Sequence, residues 1–253
     1  MLSDAQLLRY SRQIMLADVD IDGQERWLAS KVLIIGLGGL GSPVALYLAA
    51  AGVGELVLVD DDQVDLSNLQ RQIVHTTARI GMNKVDSAAQ MLREINPDIN
   101  IVTRAERLDE KALQTLVAQV DLVLDCTDNF STRFAVNRAC VEHQKPLVSG
   151  AAIRMEGQIA VFQPGVKGSP CYQCLYKEGD DETLTCSESG VLSPLVGIIG
   201  SMQALEALKV LANIGTSLTG RLLLLDAKHM EWRSLKLKPD PACPVCSQKE
   251  FVV

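Results

Sequence analysis

The segment Lys31-Val-Leu-Ile-Ile35, followed at once by Gly36-Leu-Gly-Gly-Leu-Gly41, constrains the fold more than any other stretch of the chain. A continuous apolar run is what a strand buried on both faces of a parallel sheet requires. Gly36, Gly38 and Gly41 fit G-x-G-x-x-G between strand and helix. Glycines there let the backbone turn tightly and approach a phosphate, and the N-terminus of the following helix offers free N–H groups to an anion. A small-residue helix is expected to about Ala51, then a strand at Leu56–Val59 ending at Asp60, nineteen residues past Gly41. A carboxylate at that place can accept hydrogen bonds from ribose hydroxyls. A glycine turn that only packs a helix on a sheet is the plainer alternative. A P-loop is excluded, because no G-x-x-x-x-G-K-[ST] occurs.

The rest of the first half keeps the alternation. Short helices are expected at 4–16 and 22–30, a helix at 84–95 stopped by Asn96-Pro97, and strands at 99–104, 121–125 and 146–149. This predicts an α/β fold with a doubly wound, mostly parallel, Rossmann-like sheet. After residue 150 the rhythm changes. Residues 158–162, 220–226 and 230–237 read as antiparallel strands that extend the sheet, and a long apolar helix is expected from about 194 to 212. The 253 residues suit a single domain, with helices in 1–30, a nucleotide-binding half in 31–150 and a second half in 151–253.

Two C-x-x-C pairs, Cys171-Tyr-Gln-Cys174 and Cys243-Pro-Val-Cys246, lie about seventy residues apart in the C-terminal half. Four thiolates so paired can close a tetrahedron around Zn²⁺ and leave no open position for water, which makes the metal structural. The seven cysteines suit a reducing cytoplasm with a metal better than a secreted disulfide framework. A polar start without an apolar h-region argues against a signal peptide. Apolar stretches interrupted by Gly, Pro or charge argue against a membrane span. The net charge of −7 argues against a general nucleic-acid surface.

The glycine loop alone does not choose between NAD and ATP. Leu66-Ser-Asn-Leu-Gln-Arg-Gln72 makes Ser67, Asn68, Leu69, Gln70 and Arg71 candidate nucleotide contacts past the ribose-binding strand end, and Lys84 opens the next helix. Such cations suit a triphosphate, whose charge must be balanced during transfer, better than a hydride donor. Each alone could be a solvated surface charge. Asp125-Cys-Thr-Asp-Asn129 ends another strand, placing Asp128 where open α/β sheets bind ligands. Its carboxylate suits Mg²⁺, and Asp128 or Asn129 could instead cap the next helix. Cys126 and Cys140 are expected to be buried. Cys186 sits in an acidic, glycine-containing segment. His75, His143 and His229 are scattered and expected at the surface.

Taken in order, Arg9-Tyr-Ser-Arg-Gln13, the glycine loop, Leu66–Gln72, Asp125–Asn129 and the two C-x-x-C pairs resemble the MoeB/ThiF family, bacterial relatives of the ubiquitin-activating enzymes. The resemblance covers about residues 3 to 247. Ser149–Gln158 is closer to the MoeB branch, which is favoured, and the N-terminal stretch with Glu231–Leu235 is closer to ThiF. The resemblance implies ATP·Mg-dependent adenylation of the Gly-Gly tail of a small ubiquitin-like sulfur carrier, with release of pyrophosphate. The carrier would be MoaD-like in molybdopterin biosynthesis, or ThiS-like in thiamine thiazole biosynthesis. It implies phosphate contacts by Arg71 and Lys84 with Asn68 nearby, ribose and phosphate contacts by Asp60 and Gly39, and a place for Asp128 beside Mg²⁺. It implies a homodimer in which Arg12 reaches into the partner's site, although from sequence alone Arg12 could equally be a surface residue. It allows Cys186 a sulfur-transfer role, and assigns 151–253 to carrier binding and zinc. With no rhodanese-like extension after Cys246, sulfur is expected from a separate donor of cysteine desulfurase or rhodanese type. An NAD-dependent oxidoreductase and a zinc adaptor without turnover are the competing readings.

Overall fold

The computed structural model describes residues 1–178 and 189–247. Eight strands form one sheet: β1 (Lys31–Ile35), β2 (Glu55–Val59), β3 (Asn100–Arg104), β4 (Leu122–Asp125), β5 (Leu147–Ile153), β6 (Glu156–Phe162), β7 (Arg221–Asp226) and β8 (Glu231–Lys236). Their order is β3-β2-β1-β4-β5-β6-β7-β8. The first five run parallel, and β6, β7 and β8 add on antiparallel. The expected doubly wound sheet with antiparallel extension is therefore present.

The buried runs follow from the layers on both faces. In β1, Val32 and Ile34 join one apolar cluster and Leu33 and Ile35 join the other, as a strand's period of two demands. The first face is covered by α4 (Gly41–Ala51), α5 (Lys84–Ile95) and α9 (Ser193–Ala212), the second by α6 (Glu110–Ala118), α7 (Phe130–Glu142) and the short α8 (Tyr172–Leu175). Near the N-terminus, α1 (Asp4–Arg9), α2 (Ser11–Ile14) and α3 (Asp20–Ala29) dock on the bundle. One helix was expected over 4–16. It breaks at Tyr10, whose ring is buried and whose hydroxyl accepts a hydrogen bond of 2.9 Å from Asn96 at the end of α5.

Helix α9 corrects the argument from interrupted apolar stretches. It has 20 residues with a mean hydropathy of 1.5, long and apolar enough to cross a membrane by length and composition, and half of it is buried against the rest of the protein. It packs on α4, β5 and β6. Its buried polar residues are used internally. Gln203 donates to the carbonyls of Asp125 (2.8 Å) and Val148 (3.3 Å) in β4 and β5. Glu206 accepts from the Leu218 amide at 2.7 Å and from Lys209 at 2.5 Å.

The turn from β1 into α4 brings backbone against backbone at the sheet's rim. A Cβ added at Gly41 would stand 1.9 Å from the Gly36 carbonyl oxygen. Gly41→Ala must displace that backbone, and overpacking of this kind costs about 3 kcal/mol. A fall in Tm of roughly 6–12 °C is expected, checked by thermal unfolding. An unchanged Tm would show that the turn opens freely.

Candidate nucleotide site and cysteine cluster

The winding of the sheet reverses between β1 and β4, and a crevice opens at their C-terminal ends. The loop 36–41 lies there. Gly36 has φ +92°, and a Cβ on it would meet the Cys126 carbonyl at 2.7 Å, so the two strand ends approach as only glycine permits. A Cβ on Gly39 would press on Val196 of α9 at 2.9 Å, whereas Gly38 has nothing nearer than the Gln72 amide at 3.5 Å. Gly38, more than Gly39, is thus the open face of the loop. Ser42 donates to the Gly38 carbonyl through both its amide (3.0 Å) and its hydroxyl (2.7 Å).

Asp60, just past β2, ties this loop to the next segment. Its carboxylate accepts from the Leu37 amide at 2.7 Å and from the Asp62 amide at 2.9 Å. Burial pushes its carboxyl above the ordinary value, opposed by the charge of Lys84. Lys84 is the first residue of α5 and is itself buried. Its ammonium lies 2.6 Å from Asp62 and 4.0 Å from Asp60. The carboxylates of Asp60, Asp61 and Asp62 are close enough together to hold a cation, and Lys84 already supplies one.

The segment after it is built on local polar turns. Asp65 accepts from the Ser67 amide (2.8 Å) and hydroxyl (2.5 Å), starting the 3₁₀ turn at Leu66–Asn68. Arg71 is half-buried, donating to the Asn68 side chain at 2.8 Å and the Ser67 carbonyl at 3.3 Å. Asn68 therefore orients Arg71. Leu69 is partly buried and Gln70 exposed. Gln72 turns inward against Gly38, with its carbonyl oxygen buried and without a hydrogen-bond partner.

His75 corrects the expectation of a surface histidine: it is 5% exposed. Its Nε2 lies 3.0 Å from the Leu37 carbonyl and its Nδ1 2.9 Å from the Ser87 hydroxyl. Burial pulls it down to about 4, with Lys84 and Arg79 adding to the effect, against the hydrogen bond to Leu37. His229 is exposed as expected, paired with Asp226 at 2.9 Å, and His143 is partly buried at the end of α7.

At the end of β4 the two candidates Asp128 and Asn129 separate. Asn129 is the cap of α7, accepting from the Thr132 amide at 2.9 Å. Asp128 is exposed and makes no hydrogen bond or ion pair with the described residues. Two residues passed over in the sequence hold this corner. Asp125, 1% exposed, accepts from Ser149 at 2.8 Å and from the Thr127 hydroxyl at 2.7 Å. The buried Arg133 guanidinium donates to the carbonyls of Thr127 and, at 3.2 Å, Gly150. Arg133 stands one helical turn past the Asn129 cap, the one sequence signal that could have found it.

Arg12 lies elsewhere. It is exposed on α2, and its side-chain contact among the described residues is a weak hydrogen bond to Met15 Sδ at 3.9 Å. The neighbouring Gln13 and Tyr10 dock on the Ala51 carbonyl and Asn96, at the C-terminal ends of α4 and α5. Those helices begin beside the crevice and end about 16 Å away, so Arg12 stands at the opposite end of the bundle. Cys126 and Cys140 are buried as expected, Cys126 just beyond β4 rather than within it. Cys186 lies outside the described residues.

Cys171, Cys174, Cys243 and Cys246 come together with all four Sγ atoms within 4.8 Å of one another. The Sγ separations are 3.9 Å for Cys171–Cys174, 3.6 Å for Cys171–Cys243 and 3.4 Å for Cys174–Cys246. A zinc tetrahedron has sulfur–sulfur edges of about 3.8 Å, so the donor set fits. The neighbouring thiols compete for charge. Contact with Cys171 holds Cys174 down at about 5, burial and then Cys174 push Cys246 up to about 12, and Cys171 is also raised, first by Cys174. The Asp240 amide donates to Cys174 Sγ at 3.4 Å and the Asn137 amide to Cys171 Sγ at 3.6 Å.

Residues 10–245 match the ThiF family. The chain is 51% identical over 247 residues to the molybdopterin-synthase adenylyltransferase of Escherichia coli, covering 98% of this chain and 99% of that one. It is 49% identical over 245 residues to the sulfur carrier protein ThiS adenylyltransferase of the same organism, covering 97% of each. Escherichia coli MccB, crystallised with ATP, matches in fold with a TM-score of 0.83 at 24% identity, covering 94% of this chain and 73% of that one.

The environment of His75 makes a pH dependence. Its pKa falls on folding from 6.5 to about 4, so its contribution is fully present above pH 6.5 and is lost as pH drops through the folded value. Stability from urea unfolding is expected to fall between pH 7 and pH 4.5 by more in the native protein than in His75→Gln, which takes up no proton. Equal losses in the two would contradict this.

Proposed function

The chain belongs to the ThiF family, and on that premise we propose that it is an ATP-dependent adenylyltransferase acting on the C-terminal Gly-Gly carboxylate of a MoaD-like, ubiquitin-like sulfur carrier in molybdopterin biosynthesis. The observation that carries this is the full-length match, at about half identity, to a molybdopterin-synthase adenylyltransferase. It leaves no room for the oxidoreductase and adaptor readings. The whole chain acts as one adenylation unit.

The chemistry sets one anion against another. The carrier's carboxylate attacks the α-phosphorus of ATP, a C–O–P link forms, the bond to the β-phosphate's bridging oxygen breaks, and pyrophosphate leaves. No general base is needed, because a carboxylate is ionised at neutral pH. The residues must hold the two anions together and spread the charge. Arg71, oriented by Asn68, and Lys84 take the phosphates, and Lys84 exchanges its contact with Asp62 for them. Asp60 takes the ribose, while Gly36, Gly38, Gly39 and Gly41 with the run Ser67–Arg71 shape the nucleotide bed. Asp128 has its carboxylate free to hold Mg²⁺, with Asn129 occupied in capping. Bound Mg²⁺ would neutralise phosphate charge.

Arg12 acts in a partner's site within a homodimer. Its exposure, its distance from its own crevice, and the exposed Leu8, Met15 and Leu16 around it support this. The adenylate would then be the substrate of a separate sulfur donor of cysteine desulfurase or rhodanese type, with AMP as the leaving group. Whether Cys186 takes part is a question for its own variant. The four cysteines hold structural Zn²⁺, and a cytoplasmic location suits their reduced state.

A second reading, adenylation of a ThiS-like carrier, is favoured by the nearly equal identity to the ThiS enzyme. ATP–pyrophosphate exchange measured with each carrier separates the two. Exchange with a MoaD-like carrier is expected, and exchange with a ThiS-like carrier alone would overturn the first reading. Arg71→Ala should lower exchange by about 10²–10³-fold while leaving the Tm within a few degrees. For the metal, Cys174→Ala or Cys246→Ala is expected to reduce bound zinc, measured by elemental analysis, and to lower the Tm. Loss of zinc at an unaltered Tm would remove its structural role.

A further inference from the structure

We propose that His75 is a positioning residue that turns the Gly38 N–H of the glycine loop toward the bound nucleotide. The proposal deepens the ATP-site reading above and rests on it.

The tautomer follows from the partners. A backbone carbonyl can only accept, so the contact of 3.0 Å between Nε2 and the Leu37 oxygen requires a proton on Nε2. The imidazole is neutral at physiological pH, so Nδ1 carries a lone pair and the Ser87 hydroxyl, 2.9 Å away and fully buried, donates to it. Both partners are satisfied in one orientation of the ring only.

The consequence lies one atom further along the chain. The Leu37–Gly38 peptide is trans, as are all the peptide bonds described. Its C=O and N–H point in opposite directions. With the carbonyl held on the buried imidazole, the Gly38 N–H faces away from the core, and it donates to none of the described residues. The preceding peptide is held as well, through the Leu37 amide on Asp60 at 2.7 Å. Asp60 and His75 therefore clamp the two sides of Leu37, and what remains free is an amide at the open face of the loop. A free N–H prepared before the ligand arrives is what an anion site needs.

The segment carrying His75 also carries Arg71. The Gln72 carbonyl accepts from the His75 amide at 3.0 Å, and the Arg71 and Gln72 amides donate to the Asn68 carbonyl, each at 3.1 Å. The same short turn thus sets the loop's amide and the cation proposed to face it across the phosphates.

The test compares His75→Gln with His75→Asn. The glutamine amide reaches the Leu37 carbonyl and the shorter asparagine does not. Kd for a non-hydrolysable ATP analogue, measured by calorimetry, is expected to stay within about threefold of native in the glutamine variant and to weaken about tenfold in the asparagine variant, the scale of one hydrogen bond. KM for ATP in pyrophosphate exchange should follow, and KM for the carrier should not move. Equal affinity in the two variants would overturn the proposal. If the asparagine variant does not fold, ¹⁵N NMR of the native histidines decides: a neutral ring protonated on Nε2 at pH 7 is required, and a proton on Nδ1 refutes it. Native protein that binds the analogue yet exchanges with no carrier would sink the carrier reading and leave this one standing. Native protein that binds no analogue would sink both.

Discussion

The reversal of winding between β1 and β4 is the constraint on which the other features depend. Strands added to one side of β1 send their helices to one face, and strands added to the other side send theirs to the opposite face. The helices part at the rim and leave a gap between the two layers. What fills it here is backbone. The loop after β1 and the Asp125–Asn129 turn after β4 approach so closely that Gly36 has no room for a Cβ, and the loop folds back on its own Gly36 carbonyl so tightly that Gly41 has none either. A crevice walled by main chain presents N–H groups at fixed positions, and it needs only charge from neighbouring segments to suit a polyphosphate. The Lys84 end of α5 and the Leu66–Gln72 turn stand ready to supply it.

Both cations have partners among the described residues. Lys84 is held between Asp62 and Asp60, and Arg71 rests on neutral oxygens of Asn68 and Ser67. The two cations are therefore not equivalent. Arg71 keeps its full charge for an incoming anion, because its partners are dipoles. On the proposed reading Lys84 gives up a carboxylate to meet the phosphates, and Asp62 is the exposed one that water can solvate on release. Asp60 stays buried and bound to two amides, so it keeps the loop in place while the lysine moves. Burial disfavours its charge, and the fold retains it through those amides and the ammonium nearby. That is a cost in stability kept at a position where an anionic acceptor can meet hydroxyl groups.

Much of this was legible because backbone demands leave marks in sequence. The strand Lys31–Ile35 and helix Lys84–Ile95 fall where an apolar run and an Asn-Pro stop place them. The paired cysteines announce a tetrahedron by spacing alone, and their sulfurs converge. Other features carry no such mark. Tyr10 breaks the first helix because its hydroxyl finds Asn96, which is 86 residues away. His75 is buried because its two ring nitrogens meet a loop carbonyl and a serine from different elements, and nothing local distinguishes such a histidine from a solvated one. Between Asp128 and Asn129, both good caps, only the backbone decides: Asn129 has the extended conformation (φ −128°, ψ 141°) that a cap needs, and Asp128 is left free. Helix α9 falls at Ser193–Ala212, where its apolar run places it, and what the run did not show is that the buried Gln203 and Glu206 within it are used to hold neighbouring backbone.

The cysteine cluster and the crevice are far apart in sequence but share one rigid element. Helix α7 starts at the Asn129 cap, beside Asp128, and two turns later presents Asn137. Asn137 accepts from the Tyr172 amide at 2.9 Å and donates toward Cys171 Sγ at 3.6 Å. Val141, a further turn along, packs with Cys171 and Cys243. Arg133 lies between the two ends and fastens the same helix to the carbonyls of Thr127 and Gly150. Cys171 and Cys243 are thereby tied to the helix whose other end lies beside the exposed Asp128. A metal held by the four sulfurs would fix α7 along its axis, as α9 fixes β4 and β5 through Gln203. On the proposed reading, in which Asp128 holds a cation beside ATP, such distant anchorage serves position, because a helix end free to slide by a fraction of an ångström would misplace the charge.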